Sequence, residues 1–276
     1  MKDLFSAKRL GRLFLKDLSE GYRTVLILVG AVTGVLLLNL LIGGLVGGND
    51  IESSGRLVHG SGVNSTTHLV FFTVTLLIGG FILSSRAFPE IHAKNRNHEW
   101  LMLPASRFEK YLTRLVLTTI GVGIGTVVYF VLFTLLAAGL SALLFGRAYQ
   151  IFNPFDGAVW MLVLNYIVLQ SLFFAGAVYF KRANIVKTVL VLSAFGFVLI
   201  LVAAGIVRIS FWREFHQITE GSGFQNFDWS AVGSRLQAAA QTLTLVLRIA
   251  YWALLAPVMW CFAYLRLTEI EVKNGV

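Results

Sequence analysis

Charge is what this chain has least of. Only 13% of its 276 residues are Asp, Glu, Lys or Arg, and 57% are hydrophobic. A soluble domain carries about twice that charged share. A water-soluble globular enzyme is therefore excluded. Cysteine is also scarce: Cys261 stands alone within an apolar run, so no intrachain disulfide forms and packing is its ordinary role. No Gly-Lys dipeptide occurs anywhere, which removes a Walker A phosphate loop. There is no G-x-S-x-G nucleophile elbow. His98-Glu99 begins like a zinc-protease helix, but Met102 stands where the second histidine should be. His92 and His98 are six apart, on different helical faces, and no metal site is expected.

What fills the chain instead is apolar sequence in runs long enough to cross a bilayer as helices, which takes about 20 residues each. The runs predict six spans, near Val25–Val46, Leu69–Ser85, Leu115–Phe145, Ala158–Phe180, Ile185–Val207 and Ile249–Leu265. The third is long enough to tilt or bend, and Gly121, Gly123 and Gly125 would ease that. No Asp or Glu falls inside any of the six. Intramembrane carboxylates usually carry the protons or sodium of ion-coupled transporters, so their absence argues against ion-driven transport. Asn39, Asn165 and Gln170 are the notable polar residues within spans. They are candidates to line a cavity, and interhelical hydrogen bonding is the alternative role. Gly30/Gly34, Gly43/Gly47 and Gly121/Gly125 have the small-xxx-small spacing that permits close helix approach.

The net charge of +9 could suggest nucleic acid, but the distribution of the cations says otherwise. Seventeen of the 23 Lys and Arg lie in the N-terminal segment, the second and fourth connections and the C-terminus. Six lie in the alternate connections: Arg56, Arg147, Arg208, Arg213, Arg235 and Arg248. Basic loop charge accumulates on the cytoplasmic side. Both termini are therefore expected in the cytoplasm, in an integral membrane protein that contacts lipid and binds no nucleic acid; the location expected for it is a bacterial cytoplasmic (inner) membrane. The first span begins too late and runs too long for a signal peptide.

Residues 1–24 read as an amphipathic interfacial helix: Leu4, Ala7, Phe14, Leu15, Leu18 and Tyr22 share one face, opposite Arg9, Arg12, Lys16 and Glu20. Residues 25–276 then form the six-helix domain. The connection 208–247 is too long for a turn. After Asp228, a candidate N-cap, Trp229, Val232, Leu236, Leu243 and Leu247 recur at helical spacing, with Ser234, Gln237, Gln241 and Arg248 on another face. This predicts short extracellular helices before the last span. Gly47–His68, rich in Gly, Ser and Asn, reads as an irregular loop. The expected fold is all-α and polytopic.

The connection 86–114 holds the most informative stretch, HEWLMLPASRFEKYL, from His98 to Leu112. Pro104 ends any helix arriving through Ala93–Leu103. Ser106 and Glu109 then form an S-x-x-E capping box that starts a new helix. Phe108, Tyr111, Leu112 and Leu115 line one face, so this helix runs along the membrane surface and climbs into the third span. Arg96, His98, Glu99 and Trp100 give the mixture expected of a small protein-contact surface.

The run Glu99-Trp100-Leu101-Met102-Leu103-Pro104-Ala105-Ser106-Arg107-Phe108-Glu109-Lys110-Tyr111, lying between spans two and three, resembles the permease subunits of type-2 ABC transporters, the mostly exporting class. The N-terminal amphipathic helix, the six spans and the long fifth connection agree with that layout. The resemblance covers nearly the whole chain in layout and about a dozen residues in motif. It implies a permease with no catalytic, metal or cofactor site of its own. ATP and Mg would be held by a separate cytosolic ATPase, docked on Arg96, His98, Glu99, Trp100, Leu101, Leu103 and Pro104. A second permease chain, the same or homologous, would complete the assembly. Apolar, acid-free spans suit a lipid-like, peptide or amphipathic cargo. Two other classes remain open: a non-transporting membrane scaffold or assembly protein, and a membrane-embedded lipid-modifying enzyme. The second would need polar catalytic groups clustered near one leaflet, and none is evident.

Overall fold

A computed structural model describes residues 7–46, 50–51, 57–58, 65–92, 106–146, 148–181, 184–210, 237, 241, 244–245 and 247–274. Among them lie six helices long and apolar enough to cross a membrane, and the chain is an integral membrane protein. The first is α1, Ala7–Val46. Between α1 and the second span, Asp50–Ile51 (β1) pairs antiparallel with Leu57–Val58 (β2), where an irregular loop was expected. The second span is α2 (Ser65–Val74), a π-helical turn π1 (Thr75–Gly79) and α3 (Gly80–Ser85). The short α4 (Pro89–His92) follows. The third runs through α5 (Arg107–Val116), π2 (Leu117–Gly121) and α6 (Val122–Phe145). The fourth is α7 (Gly157–Tyr179) and the fifth α8 (Asn184–Ser210). The last contains π3 (Ala250–Leu254) and α9 (Leu255–Asn274).

The predicted spans thus all form, most ends falling within a few residues, while the first begins at Ala7, the third at Arg107 and the last continues to Asn274. The expected boundary after residue 24 is not a break. α1 is one helix of 40 residues, because nothing between Glu20 and Val25 stops it. It rises about 60 Å, twice the roughly 30 Å hydrocarbon core, so much of it must project beyond that core or tilt strongly.

α7 is the centre of the bundle: 61% of its most apolar window is buried, against 6% for α8 and 11% for α1. α9 packs along it most extensively, with α3 and α8 on other sides. Lipid tails are as apolar as leucine, so helices in a membrane associate by close packing and polar contacts instead of hydrophobic exclusion. The close approaches here occur at single glycines. A Cβ at Gly80 would overlap the Tyr166 ring, one at Gly176 the Thr188 side chain, and one at Gly44 the Phe145 ring. Among the described residues the pairs Gly30/Gly34 and Gly121/Gly125 do not serve this purpose. Gly30, Gly34 and Gly125 face open space and Gly121 makes only ordinary contact; Gly47 lies outside the described residues.

Two apolar clusters close the ends. At one, Phe152 from the α6–α7 connection stacks on Phe72 at 5.3 Å between ring centres and tilts against Phe130 at 5.6 Å. Its backbone N–H donates to Thr134 Oγ1 (3.3 Å). His68, buried near the start of α2, donates from Nε2 to the Gln150 carbonyl (2.8 Å) and meets the Tyr149 ring edge-on. Burial pushes the Tyr149 phenol up to about 12, so it stays neutral. At the other end, rich in basic residues, Phe88, Tyr111, Phe174, Ala263 and Leu267 form the second cluster.

Candidate functional site

At the basic end the structure gathers charges that the apolar pattern did not bring together. Ser106 caps α5: its Oγ accepts from Glu109 N–H (3.2 Å), and Glu109 Oε2 accepts from Ser106 N–H (2.9 Å). The capping box read from S-x-x-E is therefore complete. The other carboxylate oxygen of Glu109, fully buried, faces Arg9 Nη2 of α1 at 3.5 Å. One helical turn further, Arg114 sits between two carboxylates. Its Nη2 lies 3.1 Å from Asp17 Oδ1 of α1, and its Nη1 2.9 Å from Glu90 Oε2 of α4. Nη1 also donates to the Ala87 carbonyl, and the guanidinium lies over the Phe88 ring.

The face of α5 that turns inward is its polar side together with Tyr111. Glu109, Lys110, Tyr111, Thr113 and Arg114 are buried, whereas Phe108 is 48% exposed. The polar face can go in because α1 and α4 present matching charges, and a buried ion is tolerable only when paired and hydrogen-bonded. A signal was present in the spacing. Arg9 and Asp17 are eight apart, on one face of α1, and the pair Glu109/Arg114 offers the complementary signs. Tyr111 completes the lock by donating to the Trp260 carbonyl of α9 (2.7 Å).

A second, uncharged set lies inside the bundle. Three π turns converge on the stretch Asn165–Gln170 of α7. At π2, Tyr166 O–H donates to the Thr118 carbonyl (2.5 Å), Gln170 Nε2 donates to Thr118 Oγ1 (3.0 Å), and Thr119 Oγ1 donates to Gln170 Oε1 (3.4 Å). At π3, Tyr251 O–H donates to Asn165 Oδ1 (3.0 Å). At π1, Gly80, which caps the turn, lies against the Tyr166 ring. A π turn strains the regular backbone ladder, and such turns are frequent at functional sites. At π2 a side chain of α7, Tyr166, supplies a donor to a backbone carbonyl of the distorted turn. π3 has a further cause: Pro257 cannot donate to the residue four before it, and its ring would crowd that carbonyl.

The sequence candidates divide accordingly. Ser106 and Glu109 are brought into the charged cluster. Gln170 is fully buried and Asn165 partly so, and both act as interhelical hydrogen-bond partners. Asn39 is part-buried on α1 and bonds to neither of them. Arg96, His98, Glu99, Trp100, Leu101, Leu103 and Pro104 lie outside the described residues, as does nearly all of the expected helical connection after Ser210.

The chain matches no family model, no curated protein and no solved structure. The site is therefore read from its chemistry. Among the described residues no group of three or more His, Cys, Asp or Glu could hold a metal ion. Two helices and a short third are tied by ion pairs at one end, and one central helix hydrogen-bonds two of the π turns of its neighbours.

Proposed function

We propose that this chain is the permease subunit of an ATP-driven transporter of the type-2 ABC layout, exporting a lipid-like, peptide or amphipathic substrate. ATP and Mg are bound by a separate cytosolic ATPase, and a second permease chain, the same or homologous, completes the pathway. The basic end faces the cytoplasm of a bacterial inner membrane. The observation that carries the reading is the ion-paired base of α5. This helix leaves the stretch 93–105 through a closed capping box. Within two turns it is held to α1 by Arg9–Glu109 and Asp17–Arg114, and to α4 by Glu90–Arg114. A force applied to that stretch would move α1, α4 and α5 together and enter the third span at π2. A docking element that transmits ATPase closure needs such a linkage, because the two states must differ in free energy for the motor to bias them.

Replacing Glu99 and Trp100 together by Ala tests the reading. The soluble ATPase should fall away on purification, or ATP hydrolysis should uncouple from transport, while the chain still inserts. Anchors of this kind often carry about 2 kcal/mol or more each. Transport that persists without ATP and follows an ion gradient would sink the proposal, and so would undiminished coupling in the double variant.

A further inference from the structure

The basic end carries a second arrangement, on the outside of the bundle, where α7 ends and α8 begins. Tyr179 and Phe180 sit edge-to-face, 5.2 Å between ring centres. Arg266 of α9 lies over the Tyr179 ring at 5.5 Å, and Lys187 of α8 lies 6.0 Å from the centre of the Phe180 ring. Phe262 extends the aromatic row, 6.3 Å from Tyr179. Lys181, exposed, stands directly after Phe180. Two cations from two helices therefore lie over one aromatic row and a third adjoins it in sequence, and the carboxylate paired with any of them among the described residues is Glu269, 2.6 Å from Arg266. The patch keeps a net positive charge.

Helix energetics do not explain it. Lys181 follows the C-terminus of α7, where a cation is favourable. Lys187 does the opposite: it is the fourth residue of α8, near the positive end of a 27-residue helix whose first turn has no acid. A cation placed there gains when an anion joins it. Val186 and Leu190, beside Lys187 on α8, are exposed at 65% and 64%, and Phe262 of the aromatic row at 47%. Positive charge beside aromatic rings, bordered by an apolar exposed surface, is the chemistry of an anionic lipid: phosphate on the cations, acyl chains along the helix.

We propose that Lys181, Lys187 and Arg266, set on the Tyr179–Phe180–Phe262 row, form a binding site for the headgroup of an anionic phospholipid. The site does not depend on the transporter reading, since it needs only the membrane.

The test uses the full chain purified in mild detergent, with lipid affinity read by native mass spectrometry. Phosphatidylglycerol should be retained over phosphatidylcholine of the same acyl chains. Lys181→Gln and Lys187→Gln should each weaken it about fivefold, and the two together about thirtyfold. Lys187→Arg should keep it. Arg248→Gln, which removes an exposed cation elsewhere, should change nothing. Unaltered gel-filtration profiles establish that the exposed variants are folded. Equal retention of phosphatidylcholine, no loss in the double variant, or an equal loss with Arg248→Gln overturns the proposal. Displacement of the lipid by soluble glycerol phosphate at similar concentration would assign the site to a free phosphate compound. Loss of a bound protein in place of lipid would assign it to a protein partner.

Discussion

Replacing Arg114 by Met should be among the most damaging single changes in this chain. The side chains of Arg114, Asp17 and Glu90 are only 9–10% exposed, so the weak regime of surface ion pairs, about 0–1 kcal/mol, does not apply. Met fills similar volume but strands two carboxylates and the Ala87 carbonyl. Removing one member of a buried pair costs about 3–5 kcal/mol. Asp17→Asn is the informative comparison. It leaves Arg114 paired with Glu90 at 2.9 Å; of the two bonds Arg114 makes to the Asp17 carboxylate, Asn can keep one and loses the other with the charge, a loss of about 1.5–3 kcal/mol. At about 2–4 °C per kcal/mol for a chain near this size, Arg114→Met should lower the thermal transition in detergent by roughly 10 °C. Asp17→Asn should lower it by about half as much. The double variant should melt above the sum of the two losses, because the groups share one network. Fluorescence-detected gel filtration after heating reads all three. An Arg114→Met protein melting within about 2 °C of the parent would refute the reasoning, since it would place Arg114 in water.

The remaining expectations are simpler. Gly80→Ala puts a methyl into the Tyr166 ring and should cost about 1–3 kcal/mol by overpacking, whereas Gly30→Ala, facing open space, should be nearly neutral in the same melting assay. Tyr166→Phe keeps the ring but strips the hydroxyl from the Thr118 carbonyl, for about 1–3 kcal/mol; no change would mean that carbonyl finds another donor. Cysteine labels at Ser65 and Ser222 should react with an impermeant reagent from outside the cell and a label at Asn97 should not, and the reverse pattern would invert the orientation drawn from the basic residues.

Span number and approximate position were legible because each crossing needs a long apolar run, and such a run leaves a plain trace in composition. The start of α5 was legible too, since Ser106 and Glu109 satisfy each other's backbone groups within four residues. Which face of α5 turns inward was not. Periodicity separates an apolar from a polar side but does not say which of them meets the other helices: in a membrane protein a paired charge can be buried and a phenylalanine exposed at little cost, as Glu109 and Phe108 are. Close glycine contacts were misplaced for a related reason: Gly80 and Gly176 matter through Tyr166 and Thr188 on other helices, and no local spacing reports a distant partner. The π turns leave no hydropathy trace at all, because one added residue in a turn does not alter how apolar the run is.

That added residue has a geometric consequence. Each residue of an α-helix advances the side chains by about 100°. A π turn at Leu117–Gly121 therefore offsets the angular phase of α5 against α6 by close to that amount. Without the offset, the face that carries Glu109 and Arg114 toward Asp17 and Glu90 would be rotated about a quarter-turn away whenever Val127, Phe130 and Phe133 pointed into the bundle. The third span can satisfy a charged neighbourhood at one end and an aromatic one at the other because it is not one helical screw but two, joined out of phase.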